Sequence, residues 1–200
     1  MQANVRNQQK EGELVDKLCA NALKVIDEHD LDKDDFLALS QVPFPHGRAD
    51  AVLYGLYKGL YVVPLGVEVK TKVGSGTELF RYVDQIREIY EHAFTHIYLA
   101  VHDIRADVEE LVKTYLADLD YGLIKIRESV DVVVKAEPKK TYRSEHDYNE
   151  VTSRGLLYIA AKKALMEEGF DENHINVSPL WVGLKHPINY CAFLRGNYAA

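Results

Sequence analysis

The stretch Gly66-Val67-Glu68-Val69-Lys70 mixes residues that do chemistry with residues that only pack. Successive side chains of a strand point to opposite faces, so Glu68 and Lys70 share one face and Val67 and Val69 the other. Alone, such a pair reads as an exposed ion pair of the kind that decorates many sheets. Asp50 changes that reading. It opens the preceding apolar stretch Ala49-Asp50-Ala51-Val52-Leu53-Tyr54-Gly55-Leu56, and an antiparallel neighbour brings its carboxylate beside Glu68. Two carboxylates with a nearby backbone carbonyl suit Mg²⁺ or Mn²⁺, hard ions that prefer oxygen ligands. Such an ion lowers the pKa of a water and neutralises charge on a phosphate. Lys70 is placed to orient or activate that water, or to stabilise developing negative charge. The three residues together point to phosphodiester hydrolysis.

The elements that must position them follow from periodicity. Residues 8–28 read as one helix, with Leu14, Leu18, Ala22 and Val25 at helical spacing. Residues 29–47 read as a polar connection ending in Pro43, Pro45 and Gly47. Strands are expected at 49–56 and 60–72, the second broken or bulged at Pro64 and Gly66. Gly74 and Gly76 mark a loop, and a helix over 78–93 carries Leu79, Val83, Ile86 and Tyr90 on one face. A strand at 95–101, a helix at 106–118 and strands at 121–127 and 130–135 follow. This alternation predicts an α/β domain with a mixed sheet flanked by helices. Pro138, Lys139 and Lys140 mark a composition shift. Residues 1–140 are therefore taken as the core and 141–200 as an extension packed on it, with a helix at 148–168 closed by Gly169 and a possible strand at 175–184.

The pattern Asp50 … Glu68-Val69-Lys70 resembles the PD-(D/E)XK nuclease superfamily, and locally the archaeal Holliday-junction resolvases. The resemblance covers residues 8–135. It implies a restriction-endonuclease-like fold and a Mg²⁺- or Mn²⁺-dependent endonuclease acting on DNA, with branched or junction DNA as one substrate form. Asp50 and Glu68 would be the metal ligands and Lys70 a catalytic residue. A catalytically inactive nuclease-fold module that binds DNA or protein is the alternative. In that family an N-terminal helix carrying a glutamate precedes the aspartate, and here Glu11 and Glu13 compete for the place. At 100° per residue Glu11 lies about 20° from Leu18 and 40° from Val15, on the core-facing side, whereas Glu13 lies about 140° from Leu18. Glu11 is the better candidate. Gln85 resembles the glutamine that follows the Glu-x-Lys strand in RecB-like members, although Ile89 stands where those members carry a tyrosine and Tyr90 comes one residue late.

Composition narrows the classes. A 200-residue chain with 47% hydrophobic and 28% charged residues is long enough for a full core and ordinary in balance. Its net charge of −7 argues mildly against a nucleic-acid partner, but docking needs only a local basic surface. Cys19 and Cys191 are far apart, read as free thiols of a reducing cytoplasm, and exclude a four-cysteine iron–sulfur cluster. No apolar run approaches the roughly 20 residues of a membrane span. Gly74-Ser75-Gly76 lacks the rest of a Walker phosphate loop. His92 and His96 are four apart, but the helix is expected to end between them and no third zinc ligand is evident. Junction resolution would require two active sites, hence a homodimer.

Overall fold

The computed structural model describes residues 2–44, 46–58, 61–139, 145–169, 175–178 and 191–194. Its centre is a six-stranded sheet in the order β1-β2-β3-β4-β5-β6. The strands are β1 (Phe36–Phe44), β2 (Gly47–Tyr57), β3 (Tyr61–Val73), β4 (His96–Ile104), β5 (Gly122–Ile126) and β6 (Val130–Val134). β1, β2 and β3 form an antiparallel meander, β3, β4 and β5 run parallel, and β6 returns antiparallel. The helices between the parallel strands are the crossovers that such strands require. The fold is thus α/β with a mixed sheet flanked by helices.

Helices α1 (Gln2–Ala20) and α2 (Leu23–Asp27) cover one face. Leu14, Val15, Leu18, Val25 and Ile26 pack there on Leu53, Val67, Val69, Ala100 and Ile124. Helices α3 (Gly76–Ile89), α4 (Glu109–Asp118) and α5 (Glu145–Glu167) contribute to the other core. Its residues include Leu79, Val83, Ile86, Val112, Leu116, Val151 and Tyr158, packed with Val52, Tyr54, Leu99 and Leu123. Ser75 caps α3 by accepting from the Glu78 N–H, and Glu78 accepts from the Gly74 N–H in return. This is the reciprocal arrangement of a capping box, displaced by one residue on the Glu78 side.

Helix α5 reaches the sheet because Gly155 has no side chain. A Cβ there would lie 2.2 Å from Cδ1 of the fully buried Tyr54 ring. Arg154 adds a hydrogen bond of 2.9 Å from Nη1 to the Pro43 carbonyl. Strands β7 (Ile175–Ser178) and β8 (Cys191–Leu194) pair with each other in a separate two-stranded sheet.

Three local expectations change. The segment read as a polar connection contains β1: Leu37, Leu39, Val42 and Phe44 are buried, and Pro43 is tolerated because β1 is an edge strand. The first helix begins earlier than residue 8 and is interrupted at Asn21 and Ala22, so α2 is a separate short helix. β3 is continuous through Pro64 and Gly66, with an unshifted register to β2 from Tyr61 to Val67. Pro64 precedes the parallel register with β4, which begins at Leu65, so its missing N–H interrupts no β3–β4 pairing. At the other end, β7 accounts for residues 175–178 of the expected strand, and residues 179–184 lie outside the described ones.

His29, just after α2, lies against the sheet with Nε2 2.7 Å from the Tyr98 hydroxyl and its ring 4.4 Å from that of His96. Burial lowers both imidazoles, His29 to about 3 and His96 to about 4, and Lys135 pushes each further down. Both are neutral in the fold, whereas the unfolded chain protonates them near pH 6.5. The unfolded state therefore binds more protons in the interval from 6.5 down to the folded values, and this contribution to stability is complete above 6.5 and lost as pH falls. The urea midpoint should drop between pH 7.5 and 5, and His29→Gln should make that drop smaller. Equal pH slopes in the two proteins would remove His29 from the account.

Candidate active site

β3 is buried on both faces, as a central strand between β2 and β4 must be, and it carries a carboxylate in the middle. Glu68 is 1% exposed. One step beyond the Ala51–Val67 pair, the antiparallel register sets Asp50 beside Glu68. The same count on the other side sets Gln41 of β1 opposite Asp50, between the Ser40–Ala51 and Val42–Ala49 pairs. Asp50 Oδ2 accepts from the Val69 N–H at 2.9 Å, and Oδ1 is 3.4 Å from Gln41 Nε2. Gln41 holds this place with a φ of 54°, an unusual backbone for a residue other than glycine.

The two oxygens of Glu68 have different partners. Oε1 forms an ion pair with the Lys70 ammonium, which is 13% exposed. Oε2 accepts from the Tyr90 hydroxyl at 2.7 Å. That hydroxyl also accepts from the Asp50 N–H at 3.1 Å, with the Val67 carbonyl 3.2 Å away as an alternative acceptor for its single proton. Tyr90 stands in the short 3₁₀ turn Tyr90–His92 that follows α3, and its ring lies over Gly66. A Cβ at residue 66 would come within 2.6 Å of Tyr90 Cδ1 and 2.7 Å of the Phe94 ring.

The charges are strongly coupled. Burial raises the Glu68 carboxyl above its ordinary range and Asp50 raises it further, against the pull of Lys70 and Tyr90. Burial would lower Lys70, but Glu68, Asp50 and Glu11 outweigh it and hold the ammonium charged. Glu11 is raised by burial and by Asp50, and drawn the other way by Lys70 and the Thr71 backbone N–H. Tyr90 is raised well above its usual range, first by burial and then by Glu68 and Asp50, so it remains a proton donor to the site.

The structure therefore gathers Asp50, Glu68, Lys70 and Glu11. Glu13, the competing glutamate, is exposed. Gln85 lies on the α3 stripe between Tyr82, whose ring is 5.5 Å from Lys70 Nζ, and Ile89, which packs near Gly47. It is half-buried and makes no hydrogen bond to the four grouped residues. Tyr90, which the sequence offers only as an apolar helical position one residue late for the RecB-like tyrosine, and Gln41, which it does not single out, were not among the expected site residues. A tyrosine on a buried helical stripe does carry one signal, since a buried hydroxyl needs a partner.

Three carboxylates around one ammonium leave an excess of negative charge, and the carboxylate-rich donor set fits a hard divalent cation better than a bare anion. Beside Thr71 an open groove of about 910 Å³ is lined by Lys10, Lys17, Lys72 and Arg127, with Asp103, Glu128 and Asp131 along it. Away from this cluster, one ligand atom each from His46, His92 and Asp147 lie within 4.8 Å of one another, a group that could hold a metal ion. Cys19 is a free thiol that burial and Asp16 push up to about 11. The Cys191 side chain lies outside the described residues. No helix among the described residues is long and apolar enough to cross a membrane.

No protein-family model matches the chain, and no curated protein matches it. Among solved structures it is similar to the SPO1766 protein of unknown function from Silicibacter pomeroyi, with a TM-score of 0.44 and 18% identity over 78% of this chain and 94% of that one.

Tyr90 is the test of how the site is organised. Tyr90→Phe keeps the ring over Gly66 and removes one hydroxyl, leaving Glu68 Oε2 and the Asp50 N–H without that partner. A stability loss of about 1–3 kcal/mol by urea denaturation is expected. Divalent-ion affinity, measured by calorimetry, should weaken by about 10- to 100-fold. An unchanged affinity would mean that Tyr90 supports the fold and not the carboxylates.

Proposed function

We propose that this chain is a divalent-metal-dependent endonuclease that hydrolyses DNA phosphodiester bonds, with the restriction-endonuclease-like arrangement of the PD-(D/E)XK nucleases. The observation that carries the reading is the buried Glu68 on the central strand, beside Asp50 and paired with Lys70. A lone decorative ion pair belongs at the surface, where it contributes about 0–1 kcal/mol. A buried pair costs several kcal/mol of desolvation per ion and is weak evidence of stabilisation. Its place in the core is better explained by chemistry at the site.

Asp50 and Glu68 would hold Mg²⁺ or Mn²⁺, which supplies Lewis-acid polarisation of the phosphate and a more acidic water. Asp50 is held for this by the Val69 N–H, and Glu68 by Tyr90. Lys70, kept charged by its neighbours, is the donor toward the scissile phosphate or the attacking water. Glu11 comes from α1, hydrogen-bonded to the Thr71 backbone, and adds its negative charge to the field that keeps Lys70 protonated. Gln85, half-buried on α3, would have to act on the substrate and not on the carboxylates. The DNA backbone would follow the groove along Lys10, Lys17, Lys72 and Arg127, four cationic side chains interspersed with Asp103, Glu128 and Asp131. Action on junction DNA would require a homodimer, and a reducing cytoplasmic compartment accords with the free Cys19.

Cleavage of linear and branched DNA should require Mg²⁺ or Mn²⁺ and stop with a chelator. Asp50→Asn and Glu68→Gln should each abolish it. Lys70→Ala should lower single-turnover cleavage by about 10²–10⁴-fold while weakening DNA binding only modestly. Near-normal cleavage by Lys70→Ala, or full activity in chelator, would instead favour a nuclease-fold binding module. Lys17→Ala and Arg127→Ala should each reduce the salt dependence of DNA binding by about one unit of slope.

A further inference from the structure

We infer that His46, His92 and Asp147 form a second metal site, for a borderline transition ion of the Zn²⁺ class, which ties α5 to the β1–β2 hairpin. The inference stands apart from the nuclease reading, because none of its residues belongs to the Asp50–Glu68 cluster.

The ligand atoms come from three places that the fold brings together. His46 sits at the hairpin turn directly before β2, His92 ends the 3₁₀ turn after α3, and Asp147 lies in the first turn of α5. His46 Nε2 is 2.8 Å from Asp147 Oδ2. The two imidazoles are stacked, with centroids 3.9 Å apart and planes within 10° of parallel. All three ligand atoms fall within 4.8 Å of one another. Zinc–nitrogen bonds of about 2.0–2.1 Å set neighbouring ligand atoms about 3–3.5 Å apart, so the group needs only a modest contraction and a tilt of one ring.

Exposure makes that adjustment accessible. The His46 side chain is 45% exposed and has room to tilt, whereas that of Asp147 is 3% exposed. The buried carboxylate is thus the fixed ligand and the exposed imidazole the adjustable one. Two imidazoles and one carboxylate are a donor set for Zn²⁺ and its neighbours, whereas Mg²⁺ and Ca²⁺ favour all-oxygen sites. Three protein ligands leave positions for water, so the ion would be reached from the exposed His46 side. Bound there, it would join the turn that begins at Tyr90, the first turn of α5 and the hairpin.

The test uses the full chain, freed of any affinity tag and stripped with chelator, in the wild type and in Glu68→Gln. Calorimetric titration with Zn²⁺ should show one equivalent of binding that persists in Glu68→Gln. His46→Ala and Asp147→Asn should each weaken it by at least about 10-fold. Co²⁺ should give a visible d–d spectrum that His46→Ala abolishes, and Zn²⁺ should raise the Tm of Glu68→Gln but not of its His46→Ala double variant. Because His46 lies on an exposed turn, its variant reports binding even if Asp147→Asn folds poorly. Zn²⁺ bound equally well by His46→Ala, or a wild-type equivalent lost in Glu68→Gln, would overturn the assignment, as would no Zn²⁺ binding at all. Neither DNA cleavage nor its absence enters this readout.

Discussion

A carboxylate inside the central strand of a sheet is the constraint on which the surrounding structure depends. Glu68 lies where β3 is flanked by β2 and β4 and covered by helices on both sides, so water cannot solvate it. Every partner must come from the chain. Lys70 supplies charge from the same strand face, and Tyr90 supplies a proton from the turn after α3. The second requirement propagates. The Tyr90 ring reaches its place only because Gly66 offers no side chain, and its hydroxyl is shared with the Asp50 backbone. One buried charge thus fixes a glycine, a tyrosine, a lysine and the register of β2.

The same charge joins the two helical layers. Tyr90 approaches from the α3 side, whereas Glu11 approaches from α1, along the same face of the helix as Leu18 and Val15. Asp50, Glu68 and Lys70 lie on the sheet face that Tyr90 covers, opposite Val67 and Val69, which pack under α1. Thr71, whose backbone N–H donates to Glu11, also lines the open groove that runs past Lys72 and Arg127.

Much of this was legible because it follows from period. The two-residue alternation put Glu68 and Lys70 on one strand face, and the 100° helical step separated Glu11 from Glu13. What was hidden arises from contacts between distant segments. β1 reads as a connection because Ser40, Gln41 and Pro43 interrupt its apolar pattern, and only its edge position lets a proline stay there. Pro64 reads as a break, yet it falls just before the parallel register begins. Tyr90 reads by period as one more apolar position on a helical stripe, and its one-residue offset from the RecB-like tyrosine is absorbed by the 3₁₀ turn that follows α3. His92 was paired in sequence with His96, four residues on, but its neighbours are residues 46 and 147. No local spacing encodes a group assembled from a hairpin turn, a 3₁₀ turn and a helix start.

Helix α5 also bears on how the molecule meets other copies of itself. An edge strand presents unpaired backbone groups that another chain can extend. Among the described residues β1 is such an edge, and α5 engages it at both ends. Arg154 donates to the Pro43 carbonyl, and Lys162 lies 3.4 Å from the Phe36 carbonyl. The helix therefore acts as a guard rail along that side of the sheet. A chain shortened before residue 145 would lose the guard and uncover Tyr54 at once, turning a protected border into an adhesive one. Sheet extension through β1 is thereby disfavoured as a way of pairing two intact copies.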